Sequence, residues 1–260
     1  MLPYVEIFGK VIPTYGICMA LGIITTSVCG CIQAHKKKLS VEDLLILVAS
    51  AVMGVLIGAK ILYNNLTYGI VGSMKMLVAG RIIELVSNVG FVFYGGMIGG
   101  LIGTYIAYRL TGISPRKYYT SLVPFLPIGH AIGRVGCFLA GCCYGKPSSL
   151  PIAVHFNNAL SGISPEIAVI PIQLIEAAGN VVIAGYLMAK YSDQKEGDDA
   201  ITEYIILYAF LRFLVEFWRG DTVRGSYGFL STSQWISMAL IIVASAIKIK
   251  VKNMRNCAEI

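Results

Sequence analysis

Seven stretches of this chain stay predominantly apolar for about 18 residues or more, the length a helix needs to cross the hydrocarbon of a bilayer. They run roughly 12–34, 42–63, 91–110, 118–140, 168–189, 201–219 and 233–249. Backbone in lipid finds no water to bond with, so segments like these must satisfy their own N–H and C=O groups as helices. With 56% hydrophobic and 13% charged residues in 260, a soluble domain is excluded. The expectation is an all-α, polytopic membrane protein of seven transmembrane helices. One integral membrane domain over 1–260 is predicted, without linker, repeat or low-complexity tail.

The net charge of +7 is arranged as membrane topology demands, so no nucleic-acid partner is expected. Basic residues follow the first span (Lys36, Lys37, Lys38), the third (Arg109, Arg116, Lys117), the fifth (Lys190, Lys195) and the seventh (Lys248, Lys250, Lys252, Arg255). These loops carry more than half of the 21 lysines and arginines, which predicts the N-terminus outside and the C-terminus in the cytoplasm. Charges follow the first apolar run instead of preceding it, so no cleaved signal peptide is expected.

Glycines mark helix contacts. Gly95, Gly99 and Gly103 in the third span, and Gly129 and Gly133 in the fourth, are spaced by four and lie on single faces where backbones can approach closely. At Phe93-Tyr94-Gly95-Gly96 a second reading is that the glycines clear space for a ligand at a helix start.

The strongest functional signal is ionisable residues at membrane depth. Tyr208, Arg212, Glu216 and Arg219 are separated by four, four and three and share one helical face; Gln173, Glu176 and Asn180 do the same in the fifth span. His130 and Arg134 stand in the fourth span and Lys60 in the second. A charge facing lipid costs about 3 kcal/mol. Six of them (Lys60, Arg134, Glu176, Arg212, Glu216, Arg219) would outweigh a typical folding stability of about 5–15 kcal/mol, so they must converge inside the bundle or at its wet rim. Arg212 can pair with Glu216 one turn on, and Glu176 can neutralise another cation. Two positive charges are left over, which suits an anion, and guanidinium forks favour phosphate. The bland alternative is a set of structural ion pairs. His130 and His155 by themselves read as a hydrogen-bonded core residue and a solvated loop residue.

The seven cysteines form no regular framework. Cys18, Cys29 and Cys31 read as packing residues of the first span. Cys137, Cys142 and Cys143 fall near the predicted outer face, where spacing assigns no disulfide.

These blocks, taken together, resemble the bacterial phosphatidylglycerol-prolipoprotein diacylglyceryl transferase family over almost the whole chain. The resemblance is carried by Pro13-Thr14-Tyr15-Gly16, by Phe93-Tyr94-Gly95-Gly96-Met97-Ile98-Gly99, by Pro127 to Gly145, by Pro171-Ile172-Gln173 with Glu176, and by Tyr208-x-x-x-Arg212-Phe213-x-x-Glu216-Phe217-x-Arg219. It implies a multi-pass transferase of the bacterial plasma membrane, in lipoprotein biosynthesis. Such an enzyme moves the diacylglyceryl group of phosphatidylglycerol to the lipobox cysteine thiol in the signal peptide of a preprolipoprotein, releasing glycerol phosphate. The same resemblance implies catalytic roles for Arg134, Arg212, Glu216 and Tyr94. It implies substrate-binding roles for Tyr15, Gly95, Gly96, Gly133, Cys137, Gln173, Glu176, Tyr208 and Arg219. Membrane lipids are expected neighbours; no cofactor and no metal are expected.

The chain is a divergent member of that pattern. Tyr94 stands where the family usually has His, Cys137 and Ala140 where its signature has Asn, and Cys142 where it has Glu. Tyrosine, with an ordinary pKa of about 10, is a poorer base at neutral pH than histidine. These departures leave open diacylglyceryl transfer to a different thiol or amine acceptor. A metal-binding or thiol-redox membrane protein built on His130, Cys137, Cys142, Cys143 and His155 is a further alternative, weakened by the absence of a C-x-x-C pair. An anion transporter is weakened by the lack of matched broken spans.

Overall fold

The computed structural model describes residues 2–7, 9–87, 92–193, 199–220 and 226–258, so Lys195 of the predicted inner loops lies outside the described residues. Most of the described chain is helical. Five segments are long and apolar enough to cross a membrane: Thr14–Lys36, Val41–Val78, Pro115–Ala140, Ile172–Tyr191 and Thr232–Lys250. The helices Phe93–Thr111 and Asp199–Val215 fall on the other two predicted stretches.

The helices are α1 (Thr14–Lys36), α2 (Val41–Val78), α3 (Ile82–Ser87), α4 (Phe93–Thr111), α5 (Tyr119–Leu122), α6 (Leu126–Ala140), α7 (Ile172–Tyr191), α8 (Asp199–Val215) and α9 (Thr232–Ala258). Short antiparallel strand pairs, absent from an all-helical reading, occupy connecting segments: β1 (Tyr4–Ile7) with β2 (Lys10–Pro13), β3 (Val154–His155) with β4 (Ala168–Val169), and β5 (Ser226–Tyr227) with β6 (Leu230–Ser231).

The chain forms two compact units, one of residues 38–118 and one of residues 1–37 with 119–260. In the 38–118 unit the four-residue glycine spacing does what the sequence predicts. A Cβ added to Gly99 would stand 2.1 Å from the Gly54 carbonyl oxygen, and one on Gly103 would stand 2.2 Å from that of Ser50. The α2 and α4 backbones are therefore in direct contact along this line, where any side chain would hold them apart. Helix α2 starts on Ser40, whose side chain accepts a 3.1 Å hydrogen bond from the Asp43 amide. It runs 38 residues, well beyond the predicted second span, and is broken at Gly69, where φ is +72° and only glycine is unstrained.

In the larger unit α1 buries Cys18, Gly22, Thr26, Gly30 and Ala34, one small residue every four. It turns Leu21, Ile24, Val28 and Ile32 outward, the inside-out pattern of a helix in lipid. The buried stripe meets α6: a Cβ on Gly129 would clash with Thr26 Oγ1 at 2.4 Å, and one on Gly136 with Cys18 at 2.7 Å. Cys18 is thus a packing residue, as its place in the span suggests. Lys37 ends α1, and its Nζ donates 3.0 Å hydrogen bonds to the carbonyls of Thr120 and Tyr191. Burial pulls the pKa of Lys37 below the ordinary lysine value, with the charge of Asp193 opposing the shift.

Two further features tie the helices of this unit. Val123, Ile183, Leu187, Tyr191 and Ala200 form an apolar core from the α5–α6 connection, α7 and α8. At one end of α7 the Glu203 carboxylate of α8 accepts from Lys190 Nζ at 2.7 Å, Tyr186 at 3.0 Å and Tyr191 at 2.5 Å, with Lys248 of α9 3.4 Å away. One acid there staples three helices.

Candidate functional site

Four of the helices described in the larger unit, α6, α7, α8 and α9, bring polar groups to one place. Glu176, completely buried on α7, is the hub. Its Oε1 lies 2.8 Å from Arg134 Nη2 on α6 and accepts a 3.0 Å hydrogen bond from the Tyr208 hydroxyl on α8. Its Oε2 lies 3.9 Å from Arg212 Nη1. Arg212 pairs with Glu216 one turn on, Nη2 to Oε2 at 2.6 Å, and also reaches Ser233 Oγ of α9 at 3.5 Å. Both arginines are drawn to one carboxylate because a buried acid and a buried base each carry too high a desolvation cost alone.

Neighbouring groups fix these side chains. Asn180 Nδ2 donates to the Glu176 carbonyl at 2.8 Å. The His130 ring lies 4.6 Å from the Tyr208 ring, centroid to centroid, and its Nδ1 is 3.4 Å from the Tyr204 hydroxyl. His130 is therefore a hydrogen-bonded core residue, as the sequence suggests.

Sequence reasoning missed Ser231 and Ser233. Ser231 Oγ donates to Glu216 Oε1 at 2.9 Å. The same hydroxyl accepts from the Gln234 amide at 3.2 Å, while Gln234 Oε1 accepts from the Ser231 amide at 2.9 Å. That reciprocal pair is a capping box, and its signal, Ser-x-x-Gln ahead of an apolar run, is legible in the sequence.

The polar face of the sixth predicted span ends earlier than its spacing implies. Helix α8 stops at Val215, Glu216–Trp218 form a 3₁₀ turn, and Arg219 is extended, with φ −74° and ψ 140°. Arg219 leaves the face it was expected to share and bridges, backbone to backbone, with Gly145. Its side chain is buried all the same. The approach is close enough that a Cβ on Gly220 would lie 2.3 Å from the Gly145 carbonyl oxygen. The end of the Pro127–Gly145 block is held in this way against the end of the arginine motif.

The remaining predicted residues divide between the units. The backbone of Tyr15, at the start of α1, lies against Gly136 of α6. Gly133 is buried, with Met19 sulfur 3.1 Å from where a Cβ would be, so it makes room for α1. Gln173 is buried and donates from Nε2 to the Cys142 carbonyl at 2.6 Å. Gly95 and Gly96 belong to the 38–118 unit. A Cβ on Gly95 would meet the Gly58 carbonyl at 2.4 Å, and one on Gly96 would meet Val55 at 3.2 Å. Both glycines seat α4 on α2. The Tyr94 side chain lies outside the described residues. Lys60 also belongs to the 38–118 unit, with its Nζ 5.4 Å from the Tyr63 ring centroid. Within the larger unit's network, Arg134, Arg212 and Arg219 against Glu176 and Glu216 leave a formal surplus of one positive charge.

Several buried polar atoms of the network have no hydrogen-bond partner among the described residues: Arg134 Nε, Arg212 Nη1 and Gln173 Oε1. Buried donors without acceptors are rare in folded proteins because each costs about 1–3 kcal/mol. Each of the two guanidinium groups thus has a spare buried donor, beside a Glu176 Oε2 that also lacks a hydrogen bond among the described residues, and guanidinium donors suit an anion with several oxygens.

The cysteines come together at the end of α6. Gly141, at φ +67°, ends the helix with its amide bonded to the Phe138 carbonyl at 3.1 Å, while the Cys142 amide reaches the Cys137 carbonyl at 3.1 Å. This Schellman closure folds the chain back over its last turn. The Sγ atoms of Cys137, Cys142 and Cys143 all lie within 4.8 Å of one another, without a disulfide. His155 has its Nδ1 2.8 Å from the Pro165 carbonyl oxygen. Neither it nor His130 belongs to the thiol cluster.

Comparison with known proteins follows the same elements. A family model described as prolipoprotein diacylglyceryl transferase matches residues 4–250. A phosphatidylglycerol–prolipoprotein diacylglyceryl transferase of Clostridium tetani is 34% identical over 240 residues, covering 92% of each chain. A second transferase of that name from Clostridium perfringens is 32% identical, covering 91% of this chain and 90% of the relative. That of Finegoldia magna is 31% identical, covering 95% and 94%.

Proposed function

This chain belongs to the prolipoprotein diacylglyceryl transferase family, and from that premise we propose that the Arg134–Glu176–Arg212 network is where a phospholipid headgroup is held during transfer. The protein is a membrane transferase of lipoprotein biosynthesis that moves a diacylglyceryl group from phosphatidylglycerol to a prolipoprotein. The acceptor is the lipobox cysteine of the signal peptide. Seven helices of one domain cross the bacterial plasma membrane, with the N-terminus outside and the C-terminus in the cytoplasm.

In this reading the acceptor thiolate attacks the glyceryl carbon next to the phosphate. A carbon–sulfur bond forms, the carbon–oxygen bond to phosphate breaks, and glycerol phosphate leaves with the electron pair. Negative charge grows on the departing phosphate, so fixed cations in a dry site lower the barrier more than they would in water. Arg134 and Arg212 supply them, and their spare donors point to that use. Glu176 and Glu216 hold the two guanidinium groups in place, while Tyr208 and Gln173 line the pocket. Arg219 and Tyr15 flank it. The cationic surroundings also favour ionisation of the incoming thiol. Tyr94 stands where the family pattern usually has His.

The single observation that supports this reading best is one buried carboxylate shared by arginines from two facing helices. The test is direct. Purified protein given phosphatidylglycerol and a lipobox peptide should raise the peptide mass by one diacylglyceryl unit. No shift under conditions where the Clostridium tetani relative works overturns it. Loss of transfer in Arg134→Ala and Arg212→Ala, with the proteins still inserted and monodisperse, supports the clamp, and full activity in both removes it. A higher rate in Tyr94→His assigns that departure to efficiency.

A further inference from the structure

We propose that Cys137, Cys142 and Cys143 form a three-thiolate site for one thiophilic d¹⁰ cation, zinc or cuprous copper, at the end of α6. Spacing alone speaks against it, because neighbouring cysteines normally point apart and there is no C-x-x-C pair. The backbone reverses that expectation in two steps. The Schellman closure at Gly141 carries Cys142 back over Cys137, whose carbonyl lies 3.6 Å from the Cys142 sulfur. Cys143 then adopts φ +59°, a left-handed conformation that costs any residue but glycine energy. The turn is held by the Gln173 bond to the Cys142 carbonyl and the Gly145 amide bond to the Ile170 carbonyl, and it brings the Cys143 sulfur to the two others.

The distances suit an ion. Bonds of about 2.3 Å at the tetrahedral angle set thiolates roughly 3.8 Å apart, and these sulfurs are already within 4.8 Å without one. Cys137 is buried while Cys142 and Cys143 are half-buried, so the cluster is shielded on one side and reachable on the other. The donor set selects the metal class: soft sulfur favours zinc and cuprous copper over magnesium or calcium, which require oxygen. Three thiolates carry three negative charges. A dication leaves one uncompensated, and Arg134, one helical turn before Cys137, supplies positive charge nearby. Three protein donors also leave a tetrahedral ion one open position. The cluster adjoins the proposed transfer site through Gln173, which is bonded to the Cys142 carbonyl, but metal uptake does not depend on that reading and is measured without lipid or peptide.

Detergent-purified protein, kept anaerobic with a phosphine reductant, is exposed in separate arms to Zn²⁺ and to Cu⁺, desalted and assayed for metal. Retention of about one ion per chain in either arm is expected, falling to background in Cys142→Ser/Cys143→Ser and unchanged in Cys29→Ser. Background metal in both arms, or equal retention in the double variant, overturns the proposal. A second measurement uses only the wild-type protein. Loaded metal should protect the peptide bearing Cys137, Cys142 and Cys143 from maleimide, a chelator should restore labelling, and Cys29 should label equally in both states. Labelling of the three thiols that ignores the metal also overturns the proposal.

Discussion

Glu176 Oε1 stands 2.8 Å from Arg134 Nη2, and the acid's other oxygen faces Arg212 at 3.9 Å, so one carboxylate on α7 sets the positions of arginines from α6 and α8. Its loss should be felt in two ways. Glu176→Gln keeps the shape but removes the charge that compensates two buried cations. Breaking a buried pair on one side costs about 3–5 kcal/mol, and misplacing groups that stabilise a transition state costs about 100-fold in rate. A thermal melt in detergent should shift down and initial transfer rate should fall together. A melt unchanged from wild type removes the hub role.

Arg212→Lys tests whether the fork or only the charge is needed. Lysine reaches Glu216 with a single ammonium and cannot also face Glu176 and an anion in one plane. Loss of one charge-assisted hydrogen bond, worth about 1.5–3 kcal/mol, predicts a ten- to hundredfold drop in transfer. Wild-type rate in Arg212→Lys means that point charge suffices.

Ser231→Ala removes a hydroxyl with two partners, the Gln234 amide and the Glu216 carboxylate. Loss of the cap predicts about 1 kcal/mol of lost stability. Because Glu216 also loses an anchor, transfer should fall by more than the folded fraction explains. Ser231→Thr, which keeps the hydroxyl, should restore most of both.

Gly99→Ala places a methyl where the Gly54 carbonyl already is, 2.1 Å away. Relieving the clash requires α2 and α4 to separate, and overpacking of this kind costs about 1–3 kcal/mol. The expected readout is a lower melting temperature, with Gly185→Ala, which meets nothing within 4 Å, as the neutral comparison.

Glu203→Gln should dissociate stability from chemistry. It weakens the staple of Lys190, Tyr186, Tyr191 and Lys248. A loss of about 1–3 kcal/mol is expected from the charged hydrogen bonds. Transfer by the folded protein should persist, since none of these groups touches the Glu176 network; loss of activity with an unchanged melt would contradict this division.

Much of this was legible in the chain because helices and membranes both impose a period. Tyr208, Arg212 and Glu216 fall at intervals of four, and only one face of α8 could hold them away from lipid, so their convergence follows from charge and spacing. The Arg212–Glu216 pair follows the same logic, whereas spacing left open which cation Glu176, on another helix, would neutralise. Arg219 shows where that logic stops: helical spacing presumes that the helix continues, and here it ends at Val215. Glycine spacing revealed contact faces but not partners, since Gly95 and Gly99 meet α2 while Gly129 meets α1. The cysteine cluster was illegible for a more basic reason. Its geometry depends on a left-handed φ at Cys143, which no residue type announces.

A straight helix with the 38 residues of α2 would rise about 57 Å, nearly twice the hydrocarbon thickness of a bilayer. The break at Gly69 removes that difficulty. Residues beyond it need not continue along the membrane normal, and those that follow expose Ile70, Val71, Met74, Leu77 and Val78 with Lys75 among them. Apolar side chains exposed along a stretch that also carries a lysine are the composition of a segment able to lie along a leaflet instead of crossing it, so one break in φ frees the helix from a length that no bilayer matches.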